Sequence, residues 1–506
     1  MRDVMDPDYT VGIVGAGVMG QGIAQVTLAG GMRAIVFDAK DGAAEAGSGE
    51  VHKRIDRLVE KGQLTAEAAA SQKGRLSVAA SLADFADCDT VVEAVVEKLE
   101  VKRQIFGDLE AIVAEDTILA TNTSSLPIAS IARTCRLPGR VAGMHFFNPV
   151  PLMRLVEIIE GPATDPDVAA RLSALGERMG RTPVAVKDSP GFLVNLGGRA
   201  YYTEALRLLD EGVASPSQID AILTDCCGFR MGPFALMDLT GMDVNYPVSM
   251  IVYEGFLNDR RLATTPRHKL LYEAGRLGRK TRAGHFDYDE AGKNVTPSDA
   301  DHAPTGAPAT KVFCAEAPDE PDALFAFCQE IGVEILEDDD GQSPILGYPL
   351  GDDATTYALE LGADPKRLVA VDLSADTTKR VTLMTAPGAD AGHLDAVAAA
   401  VVASGRVVTA IKDSPGFVAL RMRAAIANLG CAIAEAGLAA PSDIDLALKL
   451  GLNYPMGPLE MAEELGLETT LMVMELLQEI TGDDRYRPSL WLRRRALLGL
   501  PIHTPS

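Results

Sequence analysis

Paired cysteines are missing from this sequence. Its seven cysteines (Cys88, Cys135, Cys226, Cys227, Cys314, Cys328, Cys431) are scattered and form no C-x-x-C. That argues against a disulfide framework or a zinc site and fits a reducing cytoplasm. Long apolar stretches are also missing, since no run approaches the roughly 20 residues that span a bilayer. The acidic start, MRDVMDPDYT, has no apolar h-region, so no signal peptide is expected. Positive charge is scarce: 47 Lys and Arg stand against 71 Asp and Glu, a formal net charge of −24. Such a field disfavours nucleic acid or an anionic membrane as partner. It also requires a local exception wherever an anionic ligand binds.

What is present is an ordinary globular composition, 47% hydrophobic and 23% charged over 506 residues, long enough for three or four domains. In the first 190 residues, β-branched runs alternate with helical stretches. TVGIVG (10–15), RAIVFD (33–38), DTVVEAV (89–95), DTILATN (116–122) and RVAGMHFF (140–147) read as buried strands. The segments 17–30, 98–113 and 166–180 read as helices. This alternation predicts a parallel, doubly wound sheet. Beyond about 190 the chain turns helical, and a Pro/Ala/Gly/Asp/Thr-rich stretch near 291–310 reads as a linker.

The second half repeats the first in outline. KDSPGF occurs at 187–192 and at 412–417, an offset of 225. MGPFALMDLTGMD (231–243) and EGVASPSQIDAIL (211–223) have partners at the same offset, MGPLEMAEELGLE (456–468) and AGLAAPSDIDLAL (436–448). A duplicated helical domain follows. The intervening segment, 311–410, carries candidate strands in KVFCAEA, VEILEDD, LVAVDLS and RVTLMTA but no G-x-G-x-x-G. One cofactor site is therefore expected, in the first half.

That site is VGIVGAGVMGQGIA, a G-x-G-x-x-G after a strand and at the start of a helix. Gly15 serves the tight turn, Gly17 the close approach of a pyrophosphate and Gly20 the helix–sheet packing. The helix N-terminus offers free N–H groups to the phosphates. Asp38, ending the next strand, stands where a carboxylate holds the ribose 2′-OH of NAD and repels a 2′-phosphate.

A hydride transfer from an alcohol also needs a base for the hydroxyl proton. In GMHFFNPVPLMRLVEII (143–159), His145 ends a predicted strand, at the edge where doubly wound sheets bind ligands. Taken alone, a histidine among Met144, Phe146 and Phe147 would be a core residue. Glu157, in another apolar run, would be costly without a partner, so each residue offers an explanation of the other. TNTSSL (121–126) adds two serine hydroxyls at the same edge.

Together GAGVMG, TNTSSL, HFFNPVPLMRLVEII, KDSPGFLVN and GRKT resemble the L-3-hydroxyacyl-CoA dehydrogenases over residues 8–290. The duplicated second half looks like the long bacterial form, which includes 3-hydroxybutyryl-CoA and 3-hydroxyadipyl-CoA dehydrogenases, the latter linked to phenylacetate degradation. The resemblance implies an NAD-dependent oxidation of a 3-hydroxyacyl-CoA to a 3-keto product. His145 would be the base, Glu157 its orienting partner, and Ser124 and Asn195 the holders of the reacting oxygen. Glu97, Lys102, Asn148 and Lys280 would line the NAD site. The run KTRAGHFDY departs from the family's glycine followed by G-F-Y, through Arg282 and His285. Lys53, Arg54, Arg57 and Lys61, in HKRIDRLVEKG, are either a solvated helix face or the basic patch that CoA phosphates need. The acyl chain cannot be read; a distal carboxylate could meet Arg199, Arg230 or Arg260.

The implied fold is a Rossmann-type NAD domain (1–188), a helical domain (189–290), a linker (291–310), a degenerate α/β segment (311–410) and a second helical copy (411–506). Asn195 maps onto Leu420, and His145 onto Ala370 at the unchanged offset or Asp372 where RVAGMH is matched to RLVAVD, so the copy is expected to be structural. In the short enzymes of this family, paired helical domains form the dimer interface. Here the second copy would act as a built-in partner, with a homodimer as the other arrangement. Two rivals are a β-hydroxyacid dehydrogenase using a catalytic lysine on a free acid, and a silent relative that binds NAD without turnover.

Overall fold

The computed structural model describes residues 2–315 and 321–505. Eight strands form the first sheet: β1 (Thr10–Val14), β2 (Arg33–Phe37), β3 (Leu76–Val78), β4 (Thr90–Glu93), β5 (Ile118–Thr121), β6 (Val141–Phe146), β7 (Leu155–Glu160) and β8 (Thr182–Lys187). Their spatial order is β3-β2-β1-β4-β5-β6-β7-β8, so the strand order reverses between β1 and β4. That switch point opens the crevice in which such sheets bind dinucleotides. β1 is buried along its whole length and carries no charge, as a strand covered on both faces must be.

The expectation of a parallel sheet holds with one exception: β6 and β7 run antiparallel, with His145 opposite Glu157. A tight return through Asn148–Pro151 replaces the helical crossover a parallel neighbour would need. The periodicity does not single out β3, β7 or β8 as strands. β3 is only three residues long and mostly exposed, and β8 alternates buried and exposed positions at the sheet edge.

A second sheet has the order β10-β9-β11-β12-β13-β14: β9 (Lys311–Cys314), β10 (Glu334–Ile335), β11 (Ile345–Gly347), β12 (Leu368–Val371), β13 (Arg380–Thr385) and β14 (Val407–Lys412). The end of the KVFCAEA run, Glu316 and Ala317, lies outside the described residues. β12–β13 is antiparallel and β13–β14 parallel, repeating the β6–β7–β8 pattern. The register decides between the two matches for His145. Val184 pairs with Glu157, and at the offset of 225 Thr409 pairs with Thr382. The Asp372 N–H donates to the Thr382 carbonyl, so Asp372 occupies the place of His145 and Thr382 that of Glu157. Phe192 and Phe417, equivalent by the same offset, share a left-handed backbone, each with φ 52°.

The chain divides into two compact units. One comprises 1–196 and 436–452, the other 197–435 and 453–506. Each unit combines one sheet with a segment from the helical copy of the other half. In the first, the Lys187 N–H donates to the Leu438 carbonyl at 2.8 Å; in the second, the equivalent Lys412 N–H donates to the Val213 carbonyl at 3.0 Å. The second unit also packs helix Arg199–Asp210 against helix Ala419–Glu435. The linker stretch has no helix or strand of its own, yet its middle is tied down. Ala300 is buried, and its carbonyl accepts from Arg380 and Thr409.

Candidate active site

The glycine turn joins β1 to helix Val18–Ala29. Gly15 has φ 109°, and a Cβ there would lie 2.4 Å from the Ala94 carbonyl oxygen. A Cβ on Gly20 would lie 1.8 Å from the Gly15 carbonyl oxygen. Gly17 differs: its φ of −69° suits any residue, and a Cβ would meet no protein atom within 4 Å. The open space above Gly17 leaves the helix N-terminus accessible to a phosphate. Asp38 accepts from the Ala16 N–H at 2.8 Å and from the Lys40 N–H at 2.9 Å, which fixes its carboxylate beside the turn. These residues fit a dinucleotide.

Glu97 gathers the TNTSSL loop. One carboxylate oxygen accepts from the Thr123 hydroxyl at 2.6 Å, the Ser124 N–H at 2.9 Å and the Ser125 N–H at 3.1 Å. Burial would raise the Glu97 pKa, but the Lys102 ammonium and these donors outweigh it and hold the carboxyl below its ordinary range. Lys102 is 1% exposed, its ammonium shared between Glu93 at 2.7 Å and Glu97 at 3.2 Å. Glu93 was not among the sequence candidates. The signal was available, because a carboxylate in the buried strand TVVE needs a partner for the same reason Glu157 does.

His145 Nδ1 lies 2.7 Å from Glu157 Oε2, and their side chains are 7% and 0% exposed. The other Glu157 oxygen accepts from the backbone N–H groups of Leu193 and Val194 at 3.1 and 2.8 Å. Both oxygens are thereby satisfied, which offsets the cost of burying the carboxylate. With Nδ1 engaged, Nε2 is the basic ring nitrogen. The ring lies 4.5 Å from that of Phe147 and 5.9 Å from that of Phe192, between centroids. Asn195 donates its side-chain amide to the Ser124 carbonyl at 3.4 Å. Asn122 accepts from the Phe146 N–H at 2.8 Å, tying the end of β6 to the serine loop. Asn148 is exposed just beyond β6.

Lys280, in the second unit, donates to Asp243 at 2.7 Å. On helix Ala43–Glu60, Lys53 pairs with Glu50 at 2.7 Å, while Arg57 is exposed and Lys61 is exposed just past the helix end. Arg54 donates to Gln21 at 2.9 Å, and Gln21 in turn donates to the Ala16 carbonyl of the glycine turn. Of the three arginines considered for a distal carboxylate, Arg199 is buried on Ser249, Arg230 reaches Asn453, and Arg260 pairs with Asp483.

The departure at KTRAGHFDY places His285 against the ring of Phe234, with Nε2 buried and unpartnered. Burial pushes its pKa down to about 3, helped by His268, whose own is pushed down to about 4 by burial and by Arg199. Both are neutral in the fold but gain a proton when unfolded below about pH 6.5. Their contribution to stability is full above that pH and is lost as pH falls toward 4, by at most about 1.4 kcal/mol per pH unit for each. The unfolding midpoint is expected to drop over this window, and His285→Phe to flatten the slope. An equal slope in the variant would exclude His285 from the effect.

A Rossmann-type sheet with an intact glycine turn and a buried histidine–carboxylate pair defines a dinucleotide-dependent dehydrogenase. The model of the 3-hydroxyacyl-CoA dehydrogenase NAD-binding domain matches residues 10–189. The C-terminal domain model matches twice, at 191–288 and 416–501. The chain is 36% identical over 490 residues to 3-hydroxyadipyl-CoA dehydrogenase of Escherichia coli K12, covering 97% of this chain and 98% of that one. A probable 3-hydroxybutyryl-CoA dehydrogenase of Deinococcus radiodurans is 40% identical over 277 residues, 55% of this chain and 99% of its own. The crystal structure of a 3-hydroxybutyryl-CoA dehydrogenase from Escherichia coli K12 superposes with a TM-score of 0.85 at 34% identity, covering 97% and 98% of the two chains. This chain belongs to the 3-hydroxyacyl-CoA dehydrogenase family, as an oxidoreductase with an NAD-binding domain. Among the described residues, no helix is long and apolar enough to cross a membrane.

Proposed function

We propose that the protein oxidises the 3-hydroxyl of an (S)-3-hydroxyacyl-CoA to a 3-oxo group, with 3-hydroxybutyryl-CoA or 3-hydroxyadipyl-CoA as substrate. The observation that carries this reading is the His145–Glu157 pair at 2.7 Å, with the second Glu157 oxygen held by two backbone N–H groups. NAD, when bound, supplies the acceptor for the hydride that leaves C3. Gly17 brings backbone to its pyrophosphate on the turn that Gly15 and Gly20 permit, Asp38 holds a ribose, and Glu97, Lys102 and Asn148 complete the lining. Lys102 acts through Glu97, since its ammonium is enclosed by carboxylates.

His145 Nε2 takes the proton of the 3-hydroxyl. Glu157 keeps the imidazole in the correct tautomer and stabilises the imidazolium as it forms. Ser124 and Asn195 hold the oxygen on which charge develops. In the reverse direction the imidazolium returns the proton. Lys53, Arg54, Arg57 and Lys61 provide the positive patch that CoA phosphates require on so acidic a chain. The second half is a structural copy, with Asp372 and Leu420 where the first half has His145 and Asn195, and the paired helical domains stand in for a dimer partner. The scattered cysteines, with no C-x-x-C among them, suit a cytoplasmic site.

Formation of NADH, followed by absorbance with each acyl-CoA in turn, tests the proposal. The acyl-CoA with the larger kcat/KM identifies the chain. Tight NADH binding without turnover on either would favour a silent relative instead.

A further inference from the structure

The half of the chain that lacks a glycine turn contributes a helix to the first sheet. Helix Pro441–Leu452, from the second helical copy, packs on β7 and β8. At Gly451 the approach is too close for a side chain to enter freely. A Cβ there would lie 3.0 and 3.1 Å from the two Cγ atoms of Val194 and 3.1 Å from Leu155 Cδ2. Both neighbours bear on the same carboxylate. The Val194 N–H donates to Glu157 Oε1 at 2.8 Å. Leu155 stands two residues before Glu157 on β7, and so on the same face of the strand.

The duplicate supplies an internal comparison. At the offset of 225, position 451 corresponds to Cys226, just after helix Pro216–Asp225. That helix packs on β13, and the Cys226 thiol reaches the Arg380 carbonyl at 3.5 Å. β13 carries Thr382 in the place of Glu157. Where the helical segment meets the sheet without the carboxylate, a cysteine fits. Where it meets the sheet that carries Glu157, the side chain is gone.

We propose that helix Pro441–Leu452 is a positioning element for Glu157, and that Gly451 sets its distance through Val194. The second half thereby acts on proton transfer in the first, beyond its place as a packing partner. This rests on the assignment of His145 and Glu157 as the base pair. The packed interior has little slack: a side chain at 451 pushes Val194, shifts the N–H that holds Glu157 Oε1, and loosens the carboxylate that orients the imidazole.

The test uses the full chain, with Gly451→Val and Gly451→Cys set beside the mirror variant Cys226→Gly. Misplacement of a catalytic group by about 1 Å can cost roughly a hundredfold, so a loss of about tenfold in kcat is expected for Gly451→Val and a smaller one for Gly451→Cys. NADH affinity should stay within about twofold of wild type, because the glycine turn is untouched. The acid limb of the kcat–pH profile should move to lower pH, because an imidazolium with a displaced carboxylate is less stabilised. Adding Val194→Ala to Gly451→Val removes the opposing methyls and should restore part of both. Cys226→Gly should leave kcat and the profile unchanged. A purely structural role would lower the melting temperature without moving the profile of the folded enzyme. If Gly451→Val does not fold, Gly451→Cys carries the same test. A normal kcat and profile in the folded variant, with Glu157→Gln impaired, would overturn the positioning role alone. Full activity in Glu157→Gln would overturn the base-pair assignment beneath it.

Discussion

His145→Gln is expected to lower turnover at least about a hundredfold, the scale of general acid–base help, and to leave NADH binding nearly unchanged. The substitution isolates chemistry from structure. A glutamine amide can still donate to Glu157 Oε2, so the buried carboxylate keeps a donor there and its two backbone donors at Oε1. What disappears is a basic nitrogen able to accept the hydroxyl proton. The glycine turn lies at the end of β1, separated from β6 by β4 and β5 in the strand order. The check is a pair of measurements: steady-state NADH formation with an acyl-CoA, and NADH affinity by fluorescence titration. Near-normal turnover would remove His145 from the role of base, whereas loss of NADH binding would point to a disturbed fold.

The second large effect separates two glycines three residues apart. Gly17→Val should weaken NADH binding by roughly ten- to a hundredfold and leave the melting temperature unchanged, because overpacking typically costs about 1–3 kcal/mol and the only body to be overpacked is the ligand. Its backbone already suits a β-branched residue, and a Cβ would touch no protein atom within 4 Å. Gly20→Val should act in the opposite order. Its Cβ would lie 1.8 Å from a backbone oxygen of the same turn, so the helix must move and the protein lose stability before any ligand arrives. Melting curves with and without NADH read both outcomes. Equal effects at the two positions would mean that Gly17 does not face the cofactor.

Much of the site was legible because buried charge is expensive. His145 and Glu157 were paired from twelve residues apart by the need of an isolated carboxylate for a partner, and the antiparallel register of β6 and β7 places them opposite one another. The same logic applied to the TVVE strand would have found Glu93, which Lys102 and Thr121 satisfy. The position equivalent to His145 is Ala370 by the offset of 225 and Asp372 by matching the strand RVAGMH to RLVAVD. Hydrogen-bonded register, a property of the assembled sheet, selected Asp372. Short strands such as β3 and β11 carry too few residues for a period of two to show.

By itself the sequence determined the features that rest on local backbone demands. These are the glycine turn after β1, the carboxylate that follows β2, the strand–helix alternation and the repeat at an offset of 225. The first three are encoded within a few residues, in a glycine that the turn requires or a period that the element shows, and the repeat in the identity of short runs. The tertiary structure alone decided which segments share a core. Nothing near Gly451 announces that its missing side chain makes room for Val194, or that residues 436–452 group with the first sheet. Contacts of that kind join residues more than half the chain apart, and close packing sets them only once the whole fold has formed.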